Sequence, residues 1–234
     1  MLKIDWSKVF TWSELWAWAE VWALFIPLTI LLIRRNRIAA NLKPVVYYLF
    51  IAFLLNFIAD FTWRFQRRIP LPEWMWNNSS LYHTHSIARL LLFSWFFILL
   101  KEPFLVRLKK IIPVIFLIFV AVEFIIIKPG NSFLLDFNSE LQATEAALLL
   151  FYCLQHFLYL SKQEHTSLHT NRPANWIIIG LTVYVAINFF IFLFYAALMK
   201  ISHEFSQKIW DIHNIAYIVF CSFIAKGLYE SDKS

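Results

Sequence analysis

Tyr82-His83-Thr84-His85-Ser86-Ile87-Ala88-Arg89-Leu90-Leu91-Leu92-Phe93-Ser94-Trp95-Phe96-Phe97-Ile98-Leu99-Leu100 is the stretch whose reading decides the fold. Started at Ser79 and read as a helix, it is long enough to cross a bilayer, which takes ~20 residues for ~30 Å of hydrocarbon. Arg89 then sits about halfway along, roughly 15 Å from the helix start. An unpaired guanidinium at that depth costs at least about 2.5–3.5 kcal/mol. Arg89 must therefore face a polar interior furnished by other helices, and Asp60, Glu123 and Glu145 are the carboxylates that could meet it.

The rest of the chain agrees with a membrane setting. Of 234 residues, 60% are hydrophobic and 15% charged, with 25 Phe and 11 Trp. A soluble domain would carry about 25% charge. The polar residues lie between long apolar blocks, so the expected class is an all-α, polytopic membrane protein. The net charge of +6 reads as loop charge facing anionic lipid, and no basic patch on a soluble fold points to nucleic acid. Cys153 and Cys221 fall in apolar spans and read as packed thiols.

Taken in order, the chain divides into an interfacial segment over 1–13, a seven-helix bundle over 14–228 and a tail over 229–234. Thr11-Trp12-Ser13-Glu14 has capping-box spacing. The expected spans are about 14–33, 44–63, 79–100, 111–127, 139–160, 174–199 and 206–228. Pro27 lies inside the first and is expected to kink it. Lys128-Pro129-Gly130 ends the fourth. The segment 1–11 lacks the apolar core of a cleavable leader.

Counting Lys and Arg orients the bundle. One side takes Arg34, Arg35, Arg37, Lys43, Lys101, Arg107, Lys109, Lys110, Lys162, Arg172, Lys226 and Lys233. The other takes Lys3, Lys8, Arg64, Arg67, Arg68, Lys128, Lys200 and Lys208. The bias puts the N-terminus outside and the C-terminus in the cytoplasm of a cell whose inner membrane holds the protein.

With that orientation most intramembrane polar groups fall in the outer half. Helical spacing sorts them into stripes: Tyr82, His85 and Arg89; Gln142, Glu145, Tyr152 and His156; Tyr184, Asn188 and Tyr195; Trp210, His213, Asn214 and Tyr217. Such stripes are what interhelical hydrogen bonding also produces, but their common depth reads as a cavity. The expected ligand pocket comprises Asp60, His85, Arg89, Glu123, Glu145, Trp210, His213 and Asn214.

Three chemistries compete for that pocket. A sensor or receptor for a small ligand, passing its signal to a separate cytoplasmic protein, needs an outward pocket and basic inner loops, and both are present. A small-solute transporter would show broken, glycine-rich helices, and only three glycines occur. A zinc hydrolase would use His83 and His213 with Asp60, Glu123 or Glu145. Ser80-Leu81-Tyr82-His83 looks like the Ser-x-x-His of seven-helix metal-dependent amide hydrolases, but their second histidine pair is absent from the last span. His83 and His85 are also about 200° apart on a helix. No cofactor is therefore expected, with zinc as the alternative, and an enzyme is the lesser reading.

Three stretches carry a resemblance. They are His83 to Phe97; Asn171-Arg172-Pro173-Ala174-Asn175-Trp176-Ile177-Ile178-Ile179-Gly180 continuing to Tyr184; and Ile209-Trp210-Asp211-Ile212-His213-Asn214-Ile215. Together they resemble an uncharacterised family of bacterial seven-helix inner-membrane proteins of about this length. The resemblance implies an integral membrane protein linked to signalling. It assigns no functional residue.

Overall fold

A computed structural model describes residues 16–34, 38–65, 78–162, 172–201 and 203–231. The expected interfacial segment 1–13 and its capping box, and the loop residues Arg67, Arg68, Trp74 and Trp76, lie outside them. The described chain is all-helical. Its long helices are α1 (Ala19–Ile33), α2 (Lys43–Phe65), α3 (Ser79–Leu99), α4 (Val106–Ala121), α5 (Ser139–Ser161), α6 (Arg172–Ile201) and α7 (His203–Glu230). Five helical stretches are long and apolar enough to cross a membrane: Ala40–Arg64, Val106–Ile127, Ser139–Ser161, Arg172–Tyr195 and Lys208–Glu230. α1 is apolar but only 15 residues long in its described part. α3 has the length, but its first half carries Tyr82, His83, His85 and Arg89.

Helix contacts run α1–α2–α3–α5–α6–α7 and back to α1, which closes a ring of six. α4 stands outside it, against α3 and α5. Its outward face leaves Ile118, Ile125 and Ile126 exposed, the last two by about seven-tenths. Exposed large apolar side chains recur on the other helices, Leu32, Leu54, Phe190 and Ile215 among them. Such continuous apolar surface is characteristic of a lipid-facing or partner-facing wall.

Local sequence explains the helix ends. Asn138 caps α5, its side-chain oxygen accepting from the Leu141 N–H at 3.0 Å, as asparagine does at this position. α2 starts with Pro44 in its first turn, where a missing N–H costs nothing. α1 continues as one helix through Pro27. α4 begins at Val106, five residues before the expected 111, after Leu105 in the left-handed region (φ 51°). It ends in a π-helical turn over Val122–Ile127, closed by Lys128 N–H donating to the Glu123 carbonyl at 2.8 Å. Pro129 and Gly130, the latter at φ 98°, stop the chain there.

α6 and α7 approach closely because Gly180 and Gly227 face the partner helix. A Cβ on Gly227 would meet the Pro173 carbonyl oxygen at 2.7 Å and Ile177 Cγ1 at 2.6 Å; one on Gly180 would lie 2.3 Å from Phe223 Cβ. Small residues serve this purpose in lipid, where apolar burial does not drive helices together. Gly227→Ala and Gly180→Ala are each expected to lower stability by about 1–3 kcal/mol through overpacking, read as an earlier thermal transition in detergent.

Candidate ligand-binding site

The centre of the ring is built on Arg89. Its Nε donates to Glu145 Oε1 at 2.6 Å and its Nη2 to Glu145 Oε2 at 2.5 Å, a two-pronged pair. Nη1 donates to Tyr184 Oη at 2.6 Å. Ser86 Oγ adds a bond to Glu145 Oε2 at 3.1 Å. Both charged groups are buried, Glu145 completely. Planar guanidinium and carboxylate match in this geometry, and Coulomb attraction at low dielectric offsets the loss of water for both. Of the three carboxylates the sequence offered to Arg89, Glu145 is its partner. Glu145 thus accepts three hydrogen bonds, two from Arg89 and one from Ser86.

A cavity lies towards the end of the bundle where α1, α3, α5 and α7 begin. It is lined by Glu20, Tyr82, His85, Arg89, Phe137, Gln142, Tyr184, Phe192, Trp210, His213 and Tyr217, of which Tyr82, Phe137 and Trp210 are half-buried and the rest buried. Its space is about 340 Å³ including the open mouth, but the part free for solvent holds only about one or two waters. His213 Nε2 lies 3.1 Å from Glu20 Oε1, and its Nδ1 lies 2.5 Å from Asn188 Oδ1. Asn188 Nδ2 donates to the Tyr184 carbonyl at 2.8 Å. The His85 ring stacks on Tyr48 at 5.8 Å, while its Nε2, buried on the cavity wall, has no hydrogen-bond partner.

The structure thus brings His85, Arg89, Trp210 and His213 to one cavity, with Glu145 directly behind Arg89. It does not bring the other expected pocket residues there. Asn214 is buried beside α1, its Nδ2 3.5 Å from the Trp16 carbonyl. Asp60 is half-buried behind the rim, near enough to Glu20 and Tyr82 to act on them electrostatically. Its Oδ2 has no partner. Glu123 belongs to another assembly, because its helix stands outside the ring. It accepts from Lys128 Nζ at 2.8 Å and from Asn138 Nδ2 at 2.9 Å. Lys128 is held above its usual value: burial lowers it, but bonds to Glu123 and Glu140 outweigh that.

The metal alternative meets a chemical obstacle in His83. Its Nδ1 donates to the Phe133 carbonyl at 3.0 Å, and its Nε2 accepts from the Asn138 N–H at 3.1 Å. Both nitrogens are thus committed to backbone, and the ring is a neutral clamp between α3 and the start of α5. Among the described residues no three His, Cys, Asp or Glu side chains gather closely enough to hold a metal ion.

No family model matches the chain. No curated protein and no solved structure matches it either. The chemistry of the cavity therefore rests on its own residues. Sequence reasoning singled out His85, Arg89, Glu145, Trp210 and His213 from depth and spacing. It missed Phe137 and Phe192, apolar residues with no polar signal of their own.

It also missed a second buried cluster at the opposite end. Glu102 Oε2 accepts from Lys109 Nζ at 2.6 Å, and Glu102 Oε1 pairs with His156 Nδ1. His156 Nε2 reaches Asn175 Oδ1 at 3.0 Å, and Tyr152 Oη donates to the Lys109 carbonyl at 2.6 Å. The link after α3 is thereby fixed to α4, α5 and α6. Burial pushes the Glu102 carboxyl up, but the bonds from His156 and Lys109 more than reverse this and hold it below its usual value near 4.5. Lys109, counted from sequence as a loop charge, is instead buried in the first turn of α4. It cannot meet a partner protein there. Lys110 beside it is exposed.

Proposed function

We propose that this chain is a seven-span sensor or receptor-like protein of a bacterial inner membrane, N-terminus out and C-terminus in. In this reading α1 and α3 cross with the five more apolar helices. A small ligand enters the cavity from outside, and the resulting change passes to a separate protein against the basic cytoplasmic end. The likeness of the His83–Phe97 stretch and its companions to bacterial seven-helix membrane proteins is part of the same reading.

The observation that carries it is the cavity itself: a polar and aromatic recess, closed below by a fixed Arg89–Glu145 pair, with a buried ring nitrogen of His85 left unpartnered on its wall. A buried polar atom without a protein partner is the place where a ligand or water bonds. Described Lys and Arg residues support the orientation. Lys43, Lys101, Arg107, Lys110, Lys162, Arg172 and Lys226 are exposed at one end, against Arg64, Lys128 and Lys208 at the other.

The test is extraction of the full chain in native lipid, followed by mass spectrometry of what it carries. A stoichiometric small molecule, depleted in Trp210→Ala, is the expected result. A chain that carries none, and whose unfolding no small molecule shifts, overturns the reading. For the partner, Lys110→Glu is expected to weaken co-purification; Lys109 is unsuitable because its loss breaks the Glu102 cluster.

A further inference from the structure

Four rings in the cavity close on one another. Tyr82 and Phe137 have centroids 6.2 Å apart, Phe137 and Phe192 6.1 Å, Phe192 and Trp210 6.4 Å, and Trp210 and Tyr82 5.8 Å. The Tyr82 ring stands nearly perpendicular to both neighbours, at 86° and 85°. Each ring comes from a different part of the chain: α3, the link before α5, α6 and α7. All four line the same cavity. Sides of this length put each centroid within about 6 Å of a cation at the middle, the range in which a ring face attracts positive charge.

The surrounding charges favour a cation over an anion. An anion would look to Arg89, but the charge of that guanidinium is already matched by Glu145, and each of its three nitrogens donates to Glu145 or Tyr184. Glu20 stands against His213. The lining has no surplus positive charge to hold an anion. The unpartnered Nε2 of His85, 6% exposed and one helical turn below Tyr82, supplies one hydrogen-bonding site deeper in the same space.

Resting on the receptor reading above, the geometry points to a small methylated ammonium compound as the ligand, its cationic head between Tyr82, Phe137, Phe192 and Trp210 and a polar atom two or three bonds away against His85. A head of choline size fits the recess only by displacing its one or two waters and parting the half-buried Tyr82 and Trp210 rings. The same chemistry arrives either as a free compound or as a lipid headgroup.

Calorimetry on the full chain in detergent decides the class. The probes are choline, its neutral isostere with carbon in place of nitrogen, and acetate. Choline is expected to bind at least about tenfold more tightly than the isostere, since a desolvated cation gains that much from the rings. Trp210→Leu should remove most of that preference, and Trp210→Phe should retain part of it. Equal binding of choline and isostere, or tighter binding of acetate, overturns the cation assignment and leaves the pocket standing. No binding by any probe, with no co-purified molecule in the experiment above, sinks both. Repeating the titration in phosphatidylcholine and phosphatidylglycerol nanodiscs separates the sources. Choline excluded only by phosphatidylcholine means the headgroup occupies the box; equal binding in both means a free ligand.

Discussion

Arg89→Gln is expected to destabilise the folded chain by about 3–5 kcal/mol, because it strands Glu145 as a buried carboxylate with only Ser86 to bond it. Glu145→Gln should cost a similar amount by stranding the guanidinium. The double variant removes both charges and should be markedly less damaging than the sum of the two, a coupling that a double-mutant cycle reads directly. Thermal unfolding in detergent, at one pH and one lipid-to-protein ratio, is the measurement. If the two single effects simply add, the pair contributes no mutual stabilisation and the centre of the bundle is held by something else. Trp210→Ala provides the contrast. Its half-buried ring stacks on His213 at 5.0 Å but makes no contact with the Arg89–Glu145 pair, so its loss should affect ligand retention more than stability.

Glu102→Gln carries the second large effect. It leaves Lys109 and His156 buried without their carboxylate, and about 3–5 kcal/mol is again expected. Lys109→Met should do less, since Glu102 keeps His156. The cluster also dictates an acid limb. A carboxyl whose folded value lies below 4.5 contributes its full stabilisation above that pH. The contribution disappears as the pH falls through the lower, folded value. The unfolding temperature of the parent chain should therefore drop as the pH is taken from about 5 towards 3, and Glu102→Gln should have lost that component of the drop. A variant that tracks the parent over the whole range would refute the assignment.

The two clusters differ sharply in how legible they were. Arg89 announced itself because a charge inside an apolar run has few explanations, and Glu145 was one of the three carboxylates, with Asp60 and Glu123, that depth offered it. The stripe Trp210, His213, Tyr217 showed because polar and aromatic residues recur at helical spacing. Glu102 gave no such sign. It lies between Lys101 and Pro103, in what reads as a solvated turn, and 54 positions separate it from His156. Burial of that turn is a tertiary fact with no periodicity to betray it. Glu123 failed for the converse reason. Depth places a residue along the membrane normal but does not say which helix stands outside the ring, and α4 and α6 are similarly apolar. Only packing separates them: α6 lies in the ring, and α4 presses its one buried side on α3 and α5.

One small feature settles a question of protons. The Asn188 amide is oriented by its bond to the Tyr184 carbonyl, so its oxygen, which can only accept, receives the hydrogen on His213 Nδ1. The second imidazole nitrogen then faces a carboxyl oxygen of Glu20 at 3.1 Å. Two bare lone pairs do not settle at that distance, so a hydrogen lies between them. Wherever it rests, the acid and the imidazole sum to zero. An amide absent from the cavity wall thereby determines that this acidic corner shows the interior no net charge.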